Sequence, residues 1–177
     1  MHMNDTKEIA APRDVVWRAL LDPEVLKECV PGCQEMSGSA EEGFEATVVQ
    51  KVGPVKATFK GAVTISDIVE LESLTLTGEG KGGAAGFAKG GAKVTLADSE
   101  TGTLLSYDVD AKVGGKLAQL GSRIIDGFAK KMAEQFFSRF KEVVEGPAAE
   151  EDDVAPDAEA GEEAPKKKGW LKRMVSS

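Results

Sequence analysis

From residue 55 to 65 the chain alternates with a period of two. Val55, Ala57, Phe59, Gly61, Val63 and Ile65 form one set, and Lys56, Thr58, Lys60 and Thr64 form the other. Successive side chains of a β-strand point to opposite faces, so this run predicts a strand with one buried and one wet face. Phe44, Ala46, Val48, Gln50 and Val52 repeat the pattern ahead of Gly53-Pro54. Leu105, Tyr107, Val109, Ala111 and Val113 repeat it against Ser106, Asp108, Asp110 and Lys112. Further strands are expected at about 3–9, 71–79 and 86–97, with the Tyr107 strand at about 102–113, and short turns make the set an antiparallel meander.

A helical period appears in two regions. Val16, Trp17, Leu20 and Leu21 mark a helix opened by Pro12 and interrupted at Asp22-Pro23. A second short helix over 24–28 ends at the Pro31-Gly32 turn. Leu117, Leu120, Ile124, Phe128, Met132, Phe136 and Phe140 step by three or four and predict one continuous helix over 116–145. Such a rod is ~45 Å long at 1.5 Å per residue and needs a broad surface to lie on. A curved antiparallel sheet wrapped around it supplies that surface. The expected class is α+β, a helix-grip arrangement with two short N-terminal helices and a long C-terminal one.

The 177 residues are 41% apolar and 29% charged, with a net charge of -8. An acidic chain makes a poor general nucleic-acid binder, because phosphates need a basic footprint. No stretch approaches the ~20 apolar residues that span a bilayer. Asp5 and Glu8 precede any apolar run, so no secretory signal is expected. Cys29 and Cys33 are too few for a disulfide scaffold and point to a reducing cytoplasm. The charge is also unevenly spread. Residues 147–165 carry eight acids and no base among Ala, Pro and Gly, which reads as a disordered linker. Residues 166–177 reverse the sign. The expected domains are therefore 1–146, an acidic linker 147–165 and a basic tip 166–177.

The tip has a mechanism. Trp170, Leu171, Met174 and Val175 fall on one face of a short helix, with Lys166, Lys167 and Lys168 before it and Lys172 and Arg173 beside it. Each base contributes ~1 kcal/mol near an anionic bilayer, and the apolar face adds insertion. Membrane attachment is the expectation; a solubilising tail or docking onto an acidic protein surface are the alternatives.

The catalytic motifs are poor by comparison. Gly78-Glu79-Gly80-Lys81-Gly82-Gly83 formally fits G-x-G-x-x-G, but a dinucleotide fingerprint must open a helix, and here the chain runs back into a strand. The glycines are better read as a place where a sheet bends. The one histidine is His2, so His-centred catalysis and zinc are not expected, and no base is at hand to activate a hydroxyl. No catalytic or metal-binding residue is assigned. Cys29 and Cys33 are expected as buried or half-buried thiols beside a turn.

A long helix over a curved sheet encloses a volume that side chains often fail to fill. Small residues at Ala46, Ala57, Gly61, Ala92 and Ala111 favour a cavity for an apolar ligand, with Tyr107 or Gln50 as polar anchor. The expected lining comprises Val48, Gln50, Phe59, Val63, Phe87, Tyr107 and Val109 from the sheet, with Leu117, Leu120, Ile124 and Phe128 from the helix.

Several segments carry a resemblance. Ile9-Ala10-Ala11-Pro12 with Val16-Trp17 resembles the opening of START-like (Bet v 1-like, SRPBCC) ligand-binding proteins. Asp22-Pro23-Glu24-Val25-Leu26, Cys29-Val30-Pro31-Gly32-Cys33, Val52-Gly53-Pro54-Val55 and Phe59-Lys60-Gly61 are more specific. So is Leu120-Gly121-Ser122-Arg123-Ile124-Ile125 with Gln135-Phe136-Phe137. Together they resemble the carbon monoxide dehydrogenase G-subunit family over about 3–145. The resemblance implies a non-enzymatic accessory protein of a molybdenum-containing carbon monoxide dehydrogenase or related hydroxylase, tied to enzyme maturation or membrane attachment. The expectation that follows is a carrier with no covalent cofactor, holding a quinone or lipid and recruiting the enzyme to the cytoplasmic face of the membrane. The alternatives are a maturation or recruitment factor with no ligand, and a cyclase-like or hydrolytic enzyme on the same fold.

Overall fold

The computed structural model describes residues 1–146, and the acidic linker and basic tip lie outside the described residues. Seven strands form one sheet in the order β1-β7-β6-β5-β4-β3-β2, every neighbouring pair antiparallel. The strands are β1 (His2–Ile9), β2 (Cys33–Ser39), β3 (Gly43–Val52), β4 (Val55–Val69), β5 (Ser73–Lys81), β6 (Phe87–Asp98) and β7 (Thr103–Gly114). Between β1 and β2 lie two helices, α1 (Arg13–Leu20) and α2 (Pro23–Cys29). A short helix α3 (Lys116–Gln119) and the long α4 (Ser122–Glu145) follow the sheet. This is the α+β helix-grip class expected from the periodicities. Among the described residues no helix is long and apolar enough to cross a membrane.

Local chemistry explains the joints. Pro12 holds the extended N-cap of α1. The Asp22 carboxylate accepts the Glu24 amide at 2.9 Å and Pro23 occupies the first turn, so α2 starts where α1 cannot continue. The buried Thr103 Oγ1 donates to the Ala11 carbonyl at 2.7 Å and ties the start of β7 to the entry of α1. Ile9, Val16 and Leu105 are fully buried around that joint.

Two features correct the periodicity. Cys33–Ser39 forms an unanticipated edge strand, paired on one side only, and its sequence, Cys-Gln-Glu-Met-Ser-Gly-Ser, has no alternating apolar face. The C-terminal helix is also not continuous. Gly121, at φ +89°, separates α3 from α4, a backbone conformation that L side chains rarely adopt. The glycine-rich run at 78–83 ends β5 and leads through one 3₁₀ turn (Gly83–Ala85) into β6 rather than into an α-helix.

Candidate functional site

Register sorts the side chains of the sheet. Val63 lies opposite Gly78, Leu76 opposite Ala92, Ala92 opposite Val109 and Val94 opposite Tyr107. These positions share the buried face, with Leu74, Val94, Leu105 and Tyr107. The helices pack on that face at two places. At one end Val52, Leu117 and Ile125 form a core cluster, with Met1, Val55, Phe59, Val113, Leu120 and Phe128 around it. At the other end Tyr107 stacks on Phe137 of α4 with ring centroids 5.3 Å apart. Phe136, Phe137 and Phe140 pack on one another with centroids 5.0 to 6.3 Å apart.

Between these ends the sheet carries only short side chains. Val109 and Ala111 stand on β7 between Tyr107 and Val113, and an open cavity of about 300 Å³ lies over them. Val63, Leu76, Gly80, Ala88 and Ala92 complete its helix-side lining, which is almost wholly apolar. The glycines here are of two kinds. A Cβ on Gly90 would lie 2.1 Å from the Asp110 carbonyl oxygen, and one on its cross-strand partner Gly78 would lie 2.9 Å from that of Ala62. These two permit the close approach of the strands. Gly80 is different: a Cβ there meets nothing within 4 Å and would project into open space.

The expected lining residues therefore separate. Val63 and Val109 line the cavity. Phe59, Leu117, Leu120 and Phe128 belong to the packed cluster at one end, and Tyr107 to the aromatic stack at the other. Burial pushes the Tyr107 hydroxyl above its ordinary pKa, with Asp5 and Glu134 adding to the shift. Val48 is half-buried opposite Phe59 and Cys33. Gln50 is committed elsewhere: its side-chain amide donates to the Pro31 carbonyl and fastens the Pro31-Gly32 turn to β3.

Two assignments are corrected. Phe87 pairs with Lys81 and Gly114, so it sits on the opposite face of the sheet, 41% exposed. β6 runs without a bulge, and Phe87 lies five positions before Ala92, so the alternation that turns Ala92 inward turns Phe87 outward. Ile124 is also 41% exposed and lies beside the Gly53 turn, because the break at Gly121 resets the helical phase of α4 relative to α3. Leu76, Gly80 and Ala88 join the lining, beyond the residues that the sequence marks. The alternation that placed Ala92 and Ala111 on the inner face extends to them through cross-strand register.

The other face holds a wider, open depression of about 1180 Å³, backed by the same glycines Gly78, Gly90 and Gly91. Lys60, Lys81, Lys89 and Lys112 line it, with Glu45, Glu79 and Asp110. At its margin His2 lies 3.0 Å from Asp110 and 3.3 Å from Asp108, and the hydrogen bond to Asp110 raises the histidine pKa. These three are exposed and compensate one another. Cys29 is buried and Cys33 half-buried; burial raises the pKa of both thiols, that of Cys29 to about 11.

Comparison with known proteins places this geometry. No curated protein matches the chain. A conserved protein from Geobacillus kaustophilus superposes with a TM-score of 0.76 at 27% identity, over 82% of this chain and 95% of that one. A START superfamily protein from Mycobacterium smegmatis does so with a TM-score of 0.62 at 16% identity, over 81% and 97%. A protein from Chromobacterium violaceum gives 0.60 at 18%, over 82% and 98%. The last two are similar in fold alone, and that fold is START-like. The family model for the G subunit of carbon monoxide dehydrogenase (CoxG) matches residues 6–145, nearly all of the described fold. The chain belongs to the CoxG family, named for the G subunit of carbon monoxide dehydrogenase.

Proposed function

We propose that this protein is a non-enzymatic accessory factor of a molybdenum-containing carbon monoxide dehydrogenase or a related hydroxylase. It carries an apolar molecule, a quinone or a lipid, and brings the enzyme to the cytoplasmic face of the membrane. The observation that carries the reading is the apolar cavity over Val63, Leu76, Val109 and Ala111, held open between two packed clusters. Its volume of about 300 Å³ falls at the lower end of ligand pockets, about 300–1,000 Å³. That suits a quinone ring or a stretch of acyl chain, with the remainder extending through the open side. Glu79, Lys89 and Asp110 also border the cavity, but strand register gives them the parity of the other face, and the residues of inner parity are all apolar. This favours a carrier over a cyclase or hydrolase, which would need polar groups at the reacting atoms. Attachment is assigned to the basic tip, residues 166–177, and reach to the acidic linker.

The test fills the hollow. A Cβ at Gly80 would meet nothing within 4 Å, so Gly80→Leu builds its side chain outward into the hollow. Titration of the purified protein with a short-chain quinone, followed by fluorescence, should show affinity lowered at least ten-fold by Gly80→Leu, with the far-ultraviolet spectrum unchanged. Organic extraction followed by mass spectrometry should recover a quinone or lipid from the wild type and much less from the variant. Equal recovery and equal affinity sink the carrier reading. Deleting 166–177 should abolish pelleting with anionic liposomes; unchanged pelleting removes the tip from the mechanism.

A further inference from the structure

The outer face of the sheet holds an arrangement that folding alone disfavours. Lys60 lies directly opposite Lys81, Lys89 opposite Lys112, and Lys51 opposite Lys56. Like charges in direct cross-strand register repel. Lys81 is paired with Glu79 at 3.4 Å, but Lys51, Lys56, Lys60, Lys89 and Lys112 have no ion-pair partner among the described residues. In the midst of them stands Phe87. It is the cross-strand partner of Lys81 and lies two residues before Lys89. Its ring lies on Gly114, where a Cβ would come within 2.4 Å of a ring carbon. An aromatic ring supported on bare backbone and framed by lysines faces solvent.

We propose that this face is a second membrane contact, made by the folded domain itself, in which Phe87 enters the headgroup region of an anionic bilayer and Lys60, Lys81, Lys89 and Lys112 meet lipid phosphates. Charge complementarity selects the occupant: the chain is acidic overall, whereas on this face Lys60, Lys81, Lys89 and Lys112 outnumber the acids Glu45, Glu79 and Asp110, and the exposed Phe87 lies opposite Lys81. That combination is the composition of an interfacial anchor, in which lysine stems lie along the apolar region while their ammonium groups reach the phosphates. Phe87 is 41% exposed beside the open depression that these lysines line. The position also serves the carrier reading, on which the proposal rests for its purpose. Gly80 and Ala88 line the apolar cavity, and they adjoin Lys81 and Phe87 in the chain. A bilayer docked on Phe87 therefore lies across one thickness of sheet from the cavity, at the end of the sheet that Gly80 and Ala88 share with it.

The test uses the full chain, tip included, in co-sedimentation with vesicles of phosphatidylcholine alone and with about a third phosphatidylglycerol. Lys81→Glu with Lys89→Glu should weaken binding to the anionic vesicles on the order of ten-fold or more. Phe87→Ser should weaken it several-fold without altering the circular dichroism spectrum. The control reverses the same charge on the exposed Lys130 and Lys131 of α4 and should lose less than two-fold. Unchanged binding in the Lys81/Lys89 reversal, or an equal loss in the control, overturns the proposal and leaves the lysines to an acidic protein surface or to the chain's own acidic segment. The carrier reading is judged separately, by quinone titration without vesicles. The tip is judged by its own deletion.

Discussion

Cys29 has no accessible surface, and burial holds its thiol protonated up to a pKa of about 11, with the Glu28 carboxylate adding to the shift and Arg139 opposing it. Thiolate is the nucleophile, so iodoacetamide at neutral pH should modify the half-buried Cys33 well before Cys29. The rate at Cys29 should keep climbing with pH to about 11. Peptide mapping by mass spectrometry reads both, and equal early labelling would contradict the buried assignment. The folded state holds this proton more tightly than the unfolded chain. The stability it contributes is therefore complete below the ordinary thiol value of 9.0 and is lost as the pH rises toward 11. The sequence showed the location of these thiols beside the Pro31-Gly32 turn, because turn residues flank them. It did not show that Gln50 would be drawn into fixing that turn, since a glutamine on an inward strand position looks the same whether it meets a ligand or a carbonyl.

Strand period and helix period carried most of the secondary structure, and each failed for a definable reason. β2 was invisible because an edge strand with polar flanks needs no apolar face. The break before α4 was hidden because Leu117, Leu120 and Ile124 keep a helical spacing across Gly121 even though the backbone does not. At Gly121 the φ of +89° strains any L residue, and a Cβ would meet nothing within 4 Å, so the penalty is one of backbone conformation alone. Gly121→Ala should cost about 1–3 kcal/mol in urea unfolding. A neutral or stabilising result would mean that α3 and α4 join into one helix at little cost. Site residues were legible in proportion to their distance from such irregularities. Val63 and Val109, in the middle of long regular strands, were placed on the cavity wall, whereas Phe87 and Ile124, just past a break, were not.

One thin, glycine-rich band of sheet backs both concavities, the apolar one on the helix side and the lysine-lined one opposite. A molecule held on the apolar side binds only the folded chain, so it adds to stability by mass action. Stripping the protein with organic solvent or a lipid-adsorbing resin should lower its melting temperature by several degrees, and adding back quinone should restore it. Gly80→Leu should melt at one temperature with or without quinone. A wild type that melts identically before and after stripping would mark the hollow as idle.

Six neighbouring pairs make up the sheet. Five join strands that follow one another in the chain, and the sixth joins β1 to β7. His2 through Ile9 must find Thr103 through Asp110, with Met1 and Ala111 exchanging hydrogen bonds beyond them. During synthesis, then, β1 is made before the other six strands of the sheet and is the last of them to gain a partner. Hairpins from β2 onward can zip in the order they emerge, while the amino-terminal ribbon waits for about a hundred further residues. Truncated nascent chains that stop before β7 should leave that ribbon open to protease, and release of the β7 segment from the exit tunnel should close it.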